Sequence, residues 1–253
     1  MEKCVILVDL DGTIVEIAGK EIKENVIGEI KRLKENGHIL VVATGRAVSS
    51  VKNILGVENF NFVASMFGNI IFDSNGNVEI VGNFFDGEEA RKLVNAFNAS
   101  GNYWLYKTAF EDKTIFLNEE LNRLHNVRVV SNDEFESDLN NNQIFQMLAY
   151  GEEIEKVKDY EKSQFFRMPG GYFDITPKGN TKKNAVDFFK KKFPGYKTIA
   201  IGDSENDVAA FENCDVSIAM GNSSDEIKAH ATYVTKSISE DGFVYAFRDM
   251  LKL

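Results

Sequence analysis

Three short segments concentrate the residues whose types and spacing suggest chemistry. Asp9 and Asp11 stand two apart in Asp9-Leu10-Asp11-Gly12-Thr13, directly after the apolar run Cys4 to Val8. A chain that curls after Leu10 can point both carboxylates into one crevice, and Gly12 permits the curl. Such a pair suits a nucleophile with a partner acid and base, or a ligand set for a hard cation. Thr44-Gly45-Arg46 follows a second apolar run, Ile39 to Ala43, and offers a hydroxyl, a tight turn and a guanidinium. Gly202-Asp203-Ser204-Glu205-Asn206-Asp207 follows a third run and adds two carboxylates around a helix start. Each segment alone also reads as an Asx turn or a helix N-cap. Together they gather carboxylates that repel one another and stay charged only near a cation or a basic group, so the set predicts Mg²⁺. Lys178 and Lys182 flank a turn that opens a later helix, and either could bring positive charge.

The elements that must position these residues follow from hydrophobic patterning. Cys4 to Val8 and Ile39 to Ala43 are apolar without alternation, as in strands covered on both faces, which is the mark of a parallel sheet. Between them Ile22, Val26, Ile27, Ile30 and Leu33 fall on one helical face, with Gly37 as a stop, making a βαβ unit. A short helix over 48–55, a strand over 60–65 and a hairpin across Asn75-Gly76 follow. After Val81 the texture changes. A helix over 86–100, strands over 103–107, 114–117, 127–130 and 144–150, and a polar helix over 152–161 suggest an α+β insert with an antiparallel sheet. From Thr181 the alternation of helix and strand returns: helices to 192 and over 206–213, 223–231 and 242–251, with strands over 198–201, 216–219 and 233–235. The reading is an α/β protein with a doubly wound parallel, Rossmann-like core made of 1–81 and 176–253, and an α+β insert over 82–175. The C-terminal ends of parallel strands are where such sheets bind ligands, and all three chemical segments sit there.

Composition narrows the partners. Lys and Arg total 29 against 39 Asp and Glu, a net charge of −10, the wrong sign for neutralising many nucleic-acid phosphates. The insert is the more acidic part, with 10 basic and 17 acidic side chains over 82–175. No apolar run approaches the ~20 residues of a membrane helix. The N-terminal stretch meets Asp9 too early for a signal peptide, so a cytoplasmic location is expected. Cys4 and Cys214 lack metal-site spacing and read as reduced thiols. His38, His125 and His230 are scattered and read as structural. Trp104 and Tyr106 read as core rather than as a binding platform.

The ordered set Asp9-x-Asp11-Gly12-Thr13, Thr44-Gly45-Arg46, Lys182 and Gly202-Asp203-x-x-Asn206-Asp207 resembles the four motifs of the haloacid dehalogenase superfamily. The tail Ala219-Met220-Gly221-Asn222, Glu226-Ile227-Lys228 and Asp241-Gly242 is similar to that of Cof-type sugar phosphatases, whose insert is a type IIB cap. Phe67-Gly68-Asn69 departs from the Asn-Gly-Ala of many relatives. The resemblance implies a Mg²⁺-dependent phosphatase in which Asp9 attacks phosphorus and Asp11 acts as acid and base. It implies Mg²⁺ on Asp9, the Asp11 carbonyl and Asp203, with Asp207 holding a metal-bound water or orienting Lys182. Thr44 and Lys182 would bind phosphoryl oxygens; Leu10, Gly45, Arg46 and Asn206 would line the phosphate and substrate site. Within the cap, Arg167 and Tyr172 of the turn Arg167-Met168-Pro169-Gly170-Gly171-Tyr172 would meet the leaving group. The substrate class so implied is a small phosphorylated metabolite, above all a sugar phosphate. A phosphomutase of the same superfamily, a phospho-accepting module and a silent ligand-binding protein are the rival readings. Receiver modules need only about half this length and carry no insert.

Overall fold

A computed structural model describes residues 2–17, 19–109, 111–116, 119, 127–151, 160–168 and 171–253. The chain divides into two compact units, one of Met1–Arg46, Ser50–Val81 and Thr181–Leu253, the other of Gly82–Asn180 with Ala47–Ser49.

The first unit is built on an eight-stranded sheet. In chain order its strands are β1 (Cys4–Val8), β2 (Ile39–Ala43), β3 (Phe62–Ser65), β4 (Ile70–Asp73), β5 (Val78–Ile80), β12 (Lys197–Gly202), β13 (Val216–Ala219) and β14 (Tyr233–Val234). They lie in the order β14-β13-β12-β1-β2-β3-β4-β5, parallel from β14 to β3 and antiparallel for the β3-β4-β5 edge. All five residues of β1 are buried because both faces are covered. Cys4, Ile6 and Val8 pack with Leu40, Val42 and helix α1 (Glu24–Glu35) on one side. Val5, Leu7, Val41 and Ala43 pack on the other with Ala185, Val186 and Phe189 of the helix Lys183–Lys192. This two-sided cover is the doubly wound arrangement. Three expected helices are shorter than read: Val48–Val51, Val208–Phe211 after a 3₁₀ turn, and Asp225–Lys228. The last begins as Gly242–Tyr245 and continues as a π-helix to Met250.

The second unit carries a six-stranded sheet in the order β10-β11-β9-β6-β7-β8, antiparallel except between β7 and β8. Its strands are β6 (Tyr103–Lys107), β7 (Asp112–Thr114), β8 (Arg128–Val129), β9 (Gln146–Tyr150), β10 (Ser163–Met168) and β11 (Tyr172–Pro177). One face packs against the helix Gly87–Ala99, through Leu93, Val94 and Phe97, and the helix Asn132–Asn140, through Phe135 and Leu139. The sequence reading did not include the second of these helices. Trp104 and Tyr106 are fully buried in this core. Strand β11 runs past the expected boundary at 175, and the unit closes at Asn180. The polar helix expected over 152–161 falls mostly outside the described residues, as do Leu117, His125, Pro169 and Gly170. No helix among the described residues is long and apolar enough to cross a membrane.

Candidate active site

Parallel pairing brings the chemical segments to one edge. Val8 is in register with Val42 and with Ile201, so β1, β2 and β12 release Asp9, Thr44 and Asp203 side by side. The Asp9 amide continues the ladder to the Ile201 carbonyl at 3.0 Å, after which the Leu10 carbonyl accepts from the amides of Thr13, Ile14 and Val15 and turns the chain back. Gly12 takes φ +77°, and a Cβ there would sit 2.2 Å from Asp203 Oδ2. A Cβ on Gly202 would lie 2.2 Å from Asp207 Cγ. Both glycines are what allow the carboxylates to crowd.

Lys182 is 1% exposed and ends between two carboxylates, 2.5 Å from Asp9 Oδ1 and 2.6 Å from Asp207 Oδ1. The other oxygen of Asp207 accepts from the amides of Asp203 and Ser204, each at 3.0 Å. Asp207 thus has both oxygens engaged and holds Lys182 in place. Lys178 is exposed, and its amide bonds to the Lys162 carbonyl of the second unit. Burial pushes the Asp9 carboxyl well above its ordinary value against the pull of Lys182, and Asp207, Asp203 and Asp11 push the same way. Burial, reinforced by Asp207, raises Asp203 to about 7. Burial also draws the Lys182 ammonium down, but Asp207 and Asp9 together outweigh it and hold the group above its usual value.

The carboxylates of Asp9, Asp203 and Asp207 offer oxygens all within 4.8 Å of one another. Asp203 Oδ1 is buried without a hydrogen-bond partner, as are Thr13 Oγ1 and Asn206 Oδ1. An all-oxygen set with an orphaned buried carboxylate oxygen fits a hard divalent cation such as Mg²⁺. The Asp11 side chain lies outside this trio. It accepts a bidentate pair from Arg46, 2.8 Å from Nε and 2.6 Å from Nη2, and Arg46 also reaches the Gly19 carbonyl at 3.0 Å. Thr44 is buried, and its hydroxyl oxygen accepts from the Arg46 amide at 3.1 Å. Gly45 faces the Phe67 ring, 3.0 Å from where a Cβ would stand. The Leu10 side chain is buried in the core, so only its main chain can meet a ligand. Arg167 and Tyr172 belong to the second unit, where Arg167 lies over the Phe173 ring and Tyr172 stacks on Tyr150.

Asn222 was absent from the expected site residues. Its amide donates to the Gly12 carbonyl at 2.9 Å and to Asp203 Oδ2 at 3.4 Å, while its oxygen accepts from the Ile238 amide. It joins the loop after β13 to the loops that carry Asp11 and Asp203. Its signal was positional: a Gly-Asn pair leaving a fourth parallel strand at the same edge. His38 accepts from the Cys4 amide at 3.1 Å, and Cys4 and Cys214 are free thiols.

The chain is similar to known phosphatases in sequence and fold. Phosphoglycolate phosphatase of Nitrosopumilus maritimus is 29% identical over 255 residues, covering 97% of this chain and 95% of that protein. A 5-amino-6-(5-phospho-D-ribitylamino)uracil phosphatase of Bacillus subtilis is 26% identical over 294 residues, covering 98% of each. Among solved structures, a sugar phosphatase of haloacid dehalogenase subclass IIB superposes with a TM-score of 0.83 at 22% identity, over 99% of this chain and 100% of that one. Residues 6–247 match the haloacid dehalogenase-like hydrolases, the family to which this chain belongs.

Proposed function

We propose that the chain hydrolyses a small phosphorylated metabolite, most readily a sugar phosphate, with Mg²⁺ and through an aspartyl-phosphate on Asp9. That it is a phosphatase rests on the family and on its phosphatase relatives. The finer reading rests on one observation: a buried Lys182 ammonium between Asp9 and Asp207, beside an unpartnered Asp203 oxygen. Phosphate monoesters are among the slowest substrates known, so the site must supply charge stabilisation above all.

Lys182 fixes Asp9 through Oδ1 and leaves Oδ2 to attack phosphorus. The Asp9 oxygen forms a bond to phosphorus as the ester oxygen leaves, and that oxygen takes a proton from Asp11. In the second step Asp11 takes a proton from water, whose oxygen displaces the Asp9 carboxylate and releases inorganic phosphate. Asp11 can give or take a proton only after exchanging one of its two bonds to Arg46, and the proton it gives in the first step comes from solvent water. Lys182 and Thr44 offer hydrogen-bond donors to the phosphoryl oxygens, with Asn206 nearby. Asp9, Asp203 and the Asp11 carbonyl would hold Mg²⁺, which supplies Lewis-acid neutralisation of phosphoryl charge when bound. In the second unit Arg167 and Tyr172 would discriminate between leaving groups, and the enzyme would work in the cytoplasm.

The test is phosphate release over a panel of phosphorylated metabolites, with acid-quench trapping of phosphoenzyme. Asp9→Asn should abolish both signals while leaving the circular dichroism unchanged, and EDTA should stop turnover of the wild type. Full activity in EDTA, or in the Asn variant, would sink the mechanism; isomerised phosphate ester without inorganic phosphate would indicate a mutase.

A further inference from the structure

The turn that joins β3 to β4 in the first unit holds three successive residues in the left-handed region: Met66 at φ 50°, Phe67 at 58° and Gly68 at 82°. Glycine takes that conformation freely, but residues with bulky side chains almost never do. Hairpin turns that need positive φ are ordinarily filled by Asn, Asp or Gly. Here Met66 and Phe67 occupy such positions and are 1% and 0% exposed. Backbone strain of this kind persists only where the surroundings over-determine it, and it gathers at functional sites.

On one side the turn grips the loop that carries Thr44. The Thr44 amide donates to the Ala64 carbonyl at 2.9 Å, and the Thr44 carbonyl accepts from the Phe67 amide at 2.9 Å. The Met66 amide donates to the Arg46 carbonyl at 3.0 Å, and between these two bonds the Phe67 ring packs on Gly45. On the other side the turn meets the helix Lys183–Lys192, where a Cβ on Gly68 would stand 2.9 Å from the Ala185 Cβ. Asn69 is 0% exposed; its amide nitrogen donates to the Met66 carbonyl, and its oxygen accepts from Asn184 Nδ2 at 2.9 Å. Lys182 immediately precedes that helix, with its ammonium anchored by Asp9 and Asp207. A turn needed only to reverse the chain would not require buried Met and Phe at left-handed positions, nor spend two amides on a neighbouring loop. We propose that the 66–69 turn is a spacer that holds the Thr44 hydroxyl in register with the Lys182 ammonium, with Phe67 and Asn69 as positioning residues; this rests on the phosphatase reading above.

Calorimetry with inorganic phosphate on the full chain in Mg²⁺ reads this placement without turnover. Phe67→Leu, Asn69→Ala and Asn184→Ala should each weaken phosphate binding by roughly 5- to 10-fold, and by no more than Thr44→Ala does, with one site per chain still titrated. Asn184→Ala puts a better helix former at a half-buried position, which covers the case in which the two turn variants do not fold. Made on Thr44→Ala, the same three substitutions should each add less than about 2-fold, because the hydroxyl they misplace is gone. A merely structural role would lower the number of sites without changing affinity, or cost as much in both backgrounds. Either result, unchanged affinity in all three variants, or a wild type that binds no phosphate would overturn the spacer. The expected pattern of binding in a protein that releases phosphate from no ester would leave the spacer standing and refute the phosphatase reading alone.

Discussion

Lys182 neutralises two buried carboxylates, and truncating it leaves both with no compensating charge. Lys182→Ala should lower kcat/KM by at least ~10²-fold, the scale of losing one charge-stabilising donor. Lys178→Ala, at an exposed position, should stay within about 2-fold of wild type. Phosphate-release kinetics on both variants decide the matter; comparable losses would shift the role by one turn. Asn222→Ala removes the tie between the Gly12 carbonyl and Asp203 and should raise the Mg²⁺ needed for half-maximal binding by roughly 10-fold, the scale of a lost partner to a metal ligand. Titration of Mg²⁺ by intrinsic fluorescence checks it. The aspartates were legible because spacing after a buried strand constrains where a carboxylate can point. Between Lys178 and Lys182 no such constraint exists in the sequence, for a lysine's long stem finds its address only when the tertiary structure buries it. Arg46 shows the same limit: its partners, Asp11 and the Gly19 carbonyl, come from a segment far away in the chain.

At the scale of elements, the parallel strands were the most readable because continuous apolar runs admit few other placements. The helix Asn132–Asn140 went unread because its apolar face is carried by only Phe135 and Leu139 among acidic and amide side chains. Its start was nonetheless written in the sequence: Ser131 accepts from the Glu134 amide, the spacing of an N-cap followed by Glu. Ser131→Ala should destabilise the second unit by about 1 kcal/mol, read from urea unfolding, with no change in phosphate release from an aryl ester. The helix expected over 206–213 proved short because its flanking residues serve the site: Ser204 and Asp207 shape a 3₁₀ turn in place of its first turn.

For the molecule as a whole, the charge at the sheet edge links stability to pH and to metal. Asp203 is raised to about 7 and Asp9 is raised as well, so the folded state holds more protons than the unfolded chain between the ordinary carboxylate range and neutrality. Stability from these groups is present at low pH and lost as pH rises through the folded pKa. Metal-free protein should therefore lose a few °C in Tm between pH 5 and pH 8 relative to Asp203→Asn, the scale of about 1 kcal/mol in a chain of this size. Mg²⁺ should restore more at pH 8 than at pH 5. Differential scanning fluorimetry across pH, with and without Mg²⁺, gives the answer, and a wild-type slope no different from that of the variant would remove the carboxylate cluster as its cause.

Strand β1 is synthesised well before β12, yet it pairs along its whole length with it, Cys4 opposite Lys197. On a ribosome its free edge must wait while about 120 residues are added beyond β5, on the order of 6–24 s at 5–20 residues per second. Every strand of the second sheet, by contrast, lies between Tyr103 and Pro177. The later-starting unit can therefore finish first, and the nascent first unit spends that interval with one edge of the apolar strand β1 unpaired and exposed to holdase chaperones. Nascent chains stalled once Asn180 has cleared the tunnel should resist limited proteolysis over 82–180 and be cut readily within 1–81. Protection of both regions at that stage would mean that β1 finds a temporary partner before β12 exists.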